Sequence, residues 1–128
     1  MGNPSNFLML NGDAVPSGQA SISPEINGLY HGTGAFETFF SEDGSIFRFR
    51  EHIERLHAGL SYLGFQKENV PEEASLRLNV DELLKLNGLQ NNRARIRIQV
   101  SEAGTGGYSS NGNLQCITLI TAEELSES

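Results

Sequence analysis

The fold is decided by residues 28–64, which read GLYHGTGAFETFFSEDGSIFRFREHIERLHAGLSYLG. After a glycine-spaced opening, the segment 35–40 is rich in phenylalanine, and aromatic residues favour strands. An Asp-Gly pair at 43–44 suits the positive φ angles of a tight turn, and 46–49 reads as a return strand. The sequence therefore predicts a β-hairpin in this part of the chain.

An amphipathic helix is predicted directly after the hairpin, from about Arg50 to Leu63. Its apolar residues recur at spacings of three, four and three, and they are Ile53, Leu56, Leu60 and Leu63. Such a stripe indicates a helix face that is buried against the rest of the domain. Gly64 follows as a natural stop, because glycine readily adopts the left-handed conformation that ends helices.

Strands are also predicted towards both ends of the chain. The short segments 7–10 and 13–15 flank an Asn-Gly pair at 11–12, which favours a tight hairpin. Residues 93–101 alternate between apolar and polar side chains, as a strand with one buried face does. The segment 114–121 is apolar enough for a strand at the centre of a sheet.

A second amphipathic helix is predicted in the middle of the chain. Asn69 and Pro71 form a helix-start pattern, with Asn69 as the capping residue and proline in the first turn. Apolar residues then recur at helical spacing until an Asn-Gly pair at 87–88 ends the helix. The order β-β-β-β-α-α-β-β predicts the α+β class, an antiparallel sheet of about six strands covered on one face by two helices.

Composition disfavours several classes of function. The 128 residues carry a formal charge of −7, which opposes binding to nucleic acid or to an anionic membrane. The single cysteine, Cys116, lies in an apolar run and is expected to be a buried structural thiol. No segment resembles a signal peptide, and no apolar run approaches the roughly 20 residues of a membrane span. We therefore expect one cytoplasmic domain without a nucleic-acid or membrane partner.

Two groups of arginines are candidates for binding a small anion. Arg55 lies at the border of the apolar helix stripe, where it is either a solvated residue paired with Glu51 or a guanidinium fork that grips a phosphate. Arg93, Arg95 and Arg97 share one strand face, which is either simply solvated or meets an acidic group. Arg97 lies deepest in the strand and is the candidate for contact with a ligand carboxylate.

The histidines and glycine-rich tracts indicate no metal site or nucleotide loop. His31 lies in a glycine-rich turn, where it either reaches a site or is solvated. His52 and His57 are five residues apart, which does not place two ligands on one helix face, and no His/Cys cluster supports zinc. The glycines at 32–34 and 104–107 precede strands, so neither tract is a dinucleotide or Walker loop.

Four segments form a pattern of specific order and spacing. They are the Asn-Gly pair at 11–12, GLYHGTGAFET at 28–38, REHIERLH at 50–57 with Leu63-Gly64, and ARIRIQVS at 94–101. This pattern resembles the class IV aminotransferases, the fold-type-IV pyridoxal-phosphate enzymes that include branched-chain and D-amino-acid aminotransferases and aminodeoxychorismate lyase. The resemblance runs from about residue 7 to residue 121, and the segment 32–56 is its most specific part.

The resemblance implies roles for five residues. Arg55 matches the family arginine that binds the phosphate of pyridoxal 5'-phosphate. Arg97 matches a strand position that in several members meets a substrate carboxylate, and Phe36 matches a wall residue near the substrate. His31 stands where a tyrosine is common in the family, with Tyr30 beside it, so either of the two could face the substrate.

The catalytic lysine of the family has no counterpart here. Pyridoxal chemistry needs a Schiff-base lysine, which the resemblance places in a second domain, and neither Lys67 nor Lys85 matches it. The resemblance thus implies an N-terminal small domain over 1–121, with 122–128 as a tail or the start of a linker, and no activity for this chain alone. The complete protein is expected to be a homodimer that transfers an amino group between an amino acid and a 2-oxo acid. The alternatives are a lyase acting on aminodeoxychorismate, and a non-catalytic domain that binds an anion or a partner.

Overall fold

The structure is a computed structural model, and it describes residues 6–19, 34–103 and 115–125. In chain order its elements are β1 (Phe7–Leu10), β2 (Asp13–Pro16), β3 (Gly34–Glu42), β4 (Ser45–Ile46), α1 (Phe49–Tyr62), α2 (Glu73–Leu86), β5 (Arg93–Ala103) and β6 (Gln115–Glu124). Short 3-10 segments lie at Ser17–Gln19 and Lys67–Asn69. The described strands form one antiparallel sheet in the order β2-β1-β6-β5-β3-β4.

Both helices cover the same face of this sheet. Helix α1 packs on β3, and α2 packs on β1 and β6. On β5 the alternating apolar residues predicted to point inward are all fully buried, and they are Ala94, Ile96, Ile98 and Val100. The stripe of α1 supplies Ile53, Leu56 and Leu60 to the same core. The predicted α+β architecture, an antiparallel sheet covered on one face by two helices, is confirmed.

The return strand of the central hairpin is shorter than predicted. β4 contains only Ser45 and Ile46, because Arg48 adopts a φ of 58° and becomes the N-cap of α1. Phe49, predicted to end the strand, is instead the first residue of the helix. Its buried ring packs edge-to-face on Phe39 with the ring centroids 5.6 Å apart. This packing outweighs the intrinsic strand preference of the aromatic residue.

The predicted cap of the second helix is wrong. Helix α2 begins at Glu73 with Glu72 in the N-cap position and without a side-chain cap. Asn69 instead ends the 3-10 segment, and its carbonyl oxygen accepts a hydrogen bond from the Cys116 thiol at 2.8 Å. Cys116 is only partly buried, but this burial raises the pKa of its thiol to about 11. The thiol therefore stays protonated and links the segment before α2 to β6.

The last strand is longer than predicted. Pairing of β6 with β5 continues until Glu124 lies opposite Ala94. Residues 122–124, which are predicted to belong to the tail, are therefore strand residues, while the domain boundary itself stays a prediction. Across this extension an ion pair joins Arg95 to Glu123. Within the described ranges, no helix has both the length and the apolarity needed to cross a membrane.

Candidate functional site

Arg55 is anchored by a carboxylate that comes from the sheet. Alternation along β3 directs Glu37 towards α1, on the same face as the fully buried Phe39. Arg55 Nε donates to Glu37 Oε2 at 2.9 Å, and Arg55 Nη2 donates to Glu37 Oε1 at 2.8 Å. Two parallel hydrogen bonds fix the plane of the guanidinium as well as its position.

His52 also contacts the Glu37 carboxylate. Its Nδ1 lies 2.9 Å from Glu37 Oε1 and 3.3 Å from Arg55 Nη2. A single ring nitrogen cannot both donate to the carboxylate and accept from the guanidinium. The shorter distance favours the tautomer in which Nδ1 carries a proton and donates it to Glu37. The imidazole is held in place by Phe39, whose ring centroid lies 5.2 Å away.

The hydrogen bonds in this cluster favour the charged forms of Glu37 and Arg55. The hydrogen bond from Arg55 lowers the pKa of Glu37 below 4.5, against the opposing effect of burial and with further help from His52. The same hydrogen bond raises the pKa of Arg55. The Glu37 carboxyl is therefore an anion, and the Arg55 guanidinium a cation, at neutral pH.

One edge of the Arg55 guanidinium remains open. Its side chain is 69% exposed, although that of Glu37 is only 10% exposed. Among the described residues, Nη1 has no hydrogen-bond partner, since the contacts to Glu37 use Nε and Nη2. The guanidinium is therefore fixed on one side and offers donors to a ligand on the other.

One edge of the strand that anchors Arg55 is only partly paired within the described part of the chain. β3 pairs with β5 along its whole length, from Gly34 to Glu42. On its other side the only described pairing is with β4, at Ser41 and Glu42. Glu37 thus lies where no described strand covers the outer edge of the sheet.

Arg97 lies on the opposite face of the sheet, which no described helix covers and which we call the open face. It stands between Thr38 on β3 and Thr121 on β6. Its guanidinium carbon lies 3.8 Å from the centre of the Phe36 ring, within the range of a cation–π interaction. Phe36 is 55% exposed, so the pair forms a solvent-facing surface rather than part of the core.

Arg95 and Arg97 both line a small cavity on the open face, but they differ in their hydrogen-bonding and ionic partners. It has a volume of about 390 Å³ and is lined by Thr38, Arg95, Arg97, Thr121, Ala122 and Glu123. Arg95 forms an ion pair with Glu123, so for this arginine the acidic group expected on this face comes from the protein itself. Arg97 makes a 3.4 Å hydrogen bond to Gln99 and has no acidic partner in the described part of the chain. No described residue therefore neutralises its positive charge.

A larger cavity lies on the helix side of the molecule, away from these arginines. It has a volume of about 720 Å³ and is bordered by α1 and the segment leading into α2. Its charged residues are mostly acidic, with Glu54, Glu68, Glu72 and Glu73 against Lys67. This excess of negative charge makes the cavity a poor site for the small anion that the arginine pattern predicts.

The structure brings together only part of the predicted site. Phe36 and Arg97 are in contact on the open face, whereas Arg55 is bound to β3 on the helix-covered face. Tyr30 and His31 lie outside the described residues. The alternative pairing of Arg55 with Glu51 is wrong, because Glu51 lies 3.5 Å from Arg48 instead.

Sequence reasoning missed Glu37 and His52 as parts of the site. A signal for them is present in the alternation of β3, which places an acidic residue beside Phe39 on the buried face. A buried carboxylate requires donors, and His52 and Arg55 are three residues apart on the next helix, hence on one side of it. What no local pattern provides is the distance between strand and helix.

Comparisons with known proteins identify the family. Residues 34–128 match the family described as Amino-transferase class IV. The chain belongs to this family. Over 95 residues it is 35% identical to the aminodeoxychorismate lyase of Bacillus subtilis (strain 168), a match that covers 74% of this chain and 32% of that relative. It is also 33% identical over 84 residues to the D-alanine aminotransferase of Staphylococcus haemolyticus, covering 66% of this chain and 29% of the relative.

Solved structures agree with this class IV fold. The branched-chain aminotransferase of the archaeon Thermoproteus uzoniensis, solved with norvaline, superposes with a TM-score of 0.78 over 95% of this chain and 41% of its own, at 24% identity. Another branched-chain amino acid aminotransferase, solved with pyridoxamine 5'-phosphate, gives the same TM-score of 0.78 over 96% of this chain and 41% of its own, at 23% identity. At such identities the likeness shows the fold alone. The chain spans about a third of the length of the curated class IV relatives it matches, by the 32% and 29% coverage just given.

Proposed function

We propose that this chain forms the phosphate-binding and substrate-facing wall of a pyridoxal 5'-phosphate enzyme that transfers an amino group between an amino acid and a 2-oxo acid. Membership of the class IV family supports the reaction class. The pyridoxamine 5'-phosphate in the second of the two aminotransferase structures supports the cofactor. The observation that carries the proposal is the Arg55 guanidinium, which is fixed by Glu37 on one edge and open on the other.

The residues of this chain fit the phosphate end of the cofactor. A phosphate dianion is best bound by donors in a rigid fork, and Arg55 presents Nη1 and the free side of Nη2. When bound, pyridoxal phosphate supplies the electron sink that amino-group transfer requires. The part of Arg55 is to hold the phosphate through the donors that its contacts with Glu37 leave unused.

The substrate side of the proposal lies on the open face. Arg97 has no acidic partner among the described residues and is stacked on Phe36, so it would bind the carboxylate of an amino acid or 2-oxo acid. Arg95 is less suited, because Glu123 already neutralises it. Either His31 or Tyr30 would complete this wall, as the family resemblance implies.

The proton-transferring lysine would come from outside these residues. Lys67 lies in the 3-10 segment before α2, and Lys85 lies in the last turn of α2. Neither matches the position of the family lysine, which the resemblance places in a second domain. We accordingly propose that the active protein contains a second domain with that lysine, acts as a cytoplasmic homodimer, and that the 128 residues alone do not transfer amino groups.

The test of this function is binding of pyridoxamine 5'-phosphate, which unlike the aldehyde form does not react with surface lysines. We expect Arg55→Gln to weaken binding by about tenfold or more, since charge-assisted hydrogen bonds contribute about 1.5–3 kcal/mol. Arg48→Gln is the matched control, because Arg48 is an exposed arginine at the start of the same helix. Equal affinity of the Arg55 variant and the wild type would contradict the proposal.

A second candidate reaction is cleavage of aminodeoxychorismate. The 35% identity to the B. subtilis lyase favours it. Both reactions use the same phosphate contact, so the Arg55 test does not separate them. Assays of the complete protein with aminodeoxychorismate, and with an amino acid and a 2-oxo acid, distinguish the two. If the protein binds the anion without either activity, it is a non-catalytic domain that retains the fold.

A further inference from the structure

We infer that Glu37 is a positioning residue that orients Arg55 for phosphate recognition, with His52 holding the carboxylate in place. This inference rests on the proposed function of Arg55 as the phosphate ligand. It assigns a role to two side chains whose only described polar contacts are to each other and to Arg55. The carboxylate acts on the ligand through the guanidinium and does not touch it.

The two edges of the Arg55 guanidinium have different surroundings. Glu37 occupies the Nε and Nη2 donors at 2.9 and 2.8 Å, which leaves the Nη1 side directed away from the carboxylate. An arginine side chain that is 69% exposed would otherwise sample many rotamers, and a ligand would have to order it on binding. Glu37 imposes that order before the ligand arrives, which is preorganisation in the physical sense.

The carboxylate is itself rigidly placed. Glu37 is 8% exposed and lies within the part of β3 that pairs with β5, opposite Ile98. It accepts hydrogen bonds from Arg55 and from His52, and the His52 ring is packed on Phe39. The sheet fixes the backbone of Glu37, and these donors fix its oxygens. Glu37 therefore holds the guanidinium at a defined position relative to the sheet.

Charge alone predicts the opposite effect on binding. Glu37 carries a negative charge and Arg55 a positive one, so together they present no net charge to an approaching phosphate. If only the net charge mattered, replacing Glu37 by glutamine would strengthen anion binding. If orientation matters more, the same change weakens it, because an amide places an N–H group against one of the guanidinium donors. The sign of the change therefore decides between the two.

The test measures the dissociation constant of pyridoxamine 5'-phosphate and of inorganic phosphate with the 128-residue chain. We expect Glu37→Gln to weaken both by about fivefold to tenfold, less than the loss of a direct charge-assisted hydrogen bond, because Arg55 is kept and only its orientation is lost. Glu54→Gln is the matched control, because Glu54 is exposed on the same helix as Arg55 and loses the same charge without a described contact to that arginine. This control should bind equally well or slightly more tightly. Unchanged or tighter binding by Glu37→Gln overturns the inference.

A second readout reports orientation directly. In the ¹⁵N NMR spectrum, the Arg55 Nε–H signal should be protected from solvent exchange in the wild type and lose that protection in Glu37→Gln; equal protection in both overturns the inference. Should Glu37→Gln fail to fold, Glu37→Asp, which keeps the charge but shortens the reach, takes its place with the same expected loss. His52→Gln leaves Glu37 and Arg55 in place and is expected to weaken binding by only about twofold to threefold, because two hydrogen bonds still join the carboxylate to the guanidinium.

The failures of the two proposals are distinguishable. If Arg55→Gln leaves phosphate affinity unchanged, the phosphate role of Arg55 is wrong, and the inference about Glu37 falls with it. If Arg55→Gln weakens binding and Glu37→Gln does not, only the positioning role is wrong. A wild-type chain that binds neither phosphate compound contradicts both.

Discussion

The two faces of the sheet hold their arginines in different ways. On the helix-covered face, Arg55 is fixed by two hydrogen bonds to a buried carboxylate. On the open face, Arg97 lies over the exposed ring of Phe36, and Arg95 pairs with a half-exposed Glu123. The difference shows how burial determines what an arginine can do. A buried anchor fixes the guanidinium in one place, whereas an exposed neighbour leaves it freer to move.

Truncating a buried side chain on the helix-covered face should lower the free energy of unfolding more than any other change. Leu60 is fully buried beneath the sheet, so Leu60→Ala should lower the free energy of unfolding by about 2–5 kcal/mol. Phe40 is 54% exposed on the open face, and Phe40→Ala should cost much less, within about 1 kcal/mol. Urea denaturation of both variants measures the difference. Equal losses would mean that the open face is packed in solution, which would remove the contrast between the two faces.

The next largest effect concerns the tight contact between β3 and β5. A Cβ added at Gly34 would lie 2.5 Å from the Val100 carbonyl oxygen, a backbone atom that cannot move aside freely. We expect Gly34→Ala to destabilise the fold by about 1–3 kcal/mol, the usual cost of overpacking. At Gly59 in α1, an added Cβ meets Ala35 at an ordinary 3.5 Å, so Gly59→Ala should stabilise by up to about 1 kcal/mol. Thermal unfolding of the two variants tests both signs.

The smallest changes in stability are expected from the ion pairs, one on each face of the sheet, and the contribution of Glu37 should depend on pH. The Arg55 and His52 donors lower the pKa of Glu37, so its contribution to stability is complete above the ordinary value of 4.5 and is lost as the pH falls through the folded pKa. The difference in melting temperature between wild type and Glu37→Gln should therefore shrink below pH 4.5. Glu123→Gln, which breaks an exposed pair, should change stability by at most about 1 kcal/mol at neutral pH. A Glu37 effect that stays constant far into the acid range would be inconsistent with a lowered pKa.

The sheet and both helices follow from local patterns in the sequence. The alternation of β5 and the apolar stripe of α1 each encode one buried face, and the structure places β5 and the stripe residues Ile53, Leu56 and Leu60 in the core. Leu63, predicted to continue the stripe, is instead the C-cap of α1 and is 39% exposed. The boundaries that differ depend on contacts between distant residues. Phe49 leaves the strand because it packs on Phe39, and Asn69 does not cap α2 because it ends the preceding 3-10 segment and bonds Cys116.

The candidate site was predictable only in part, for the same reason. The family resemblance singles out Arg55, Arg97 and Phe36 from their motifs, but it says nothing of what holds them. The anchor of Arg55 is Glu37, eighteen residues earlier in the chain, and only the packing of α1 on β3 brings the two together. Local periodicity describes faces of elements, whereas a hydrogen bond between elements requires their relative placement.

The contacts of Arg55 in a complex with the cofactor decide whether it is a preorganised phosphate ligand. A crystal structure of the protein grown with pyridoxamine 5'-phosphate should show the phosphate on the Nη1 side of Arg55, with both hydrogen bonds to Glu37 retained. A phosphate bound away from Arg55, or a guanidinium that has left Glu37 to reach it, would contradict the account.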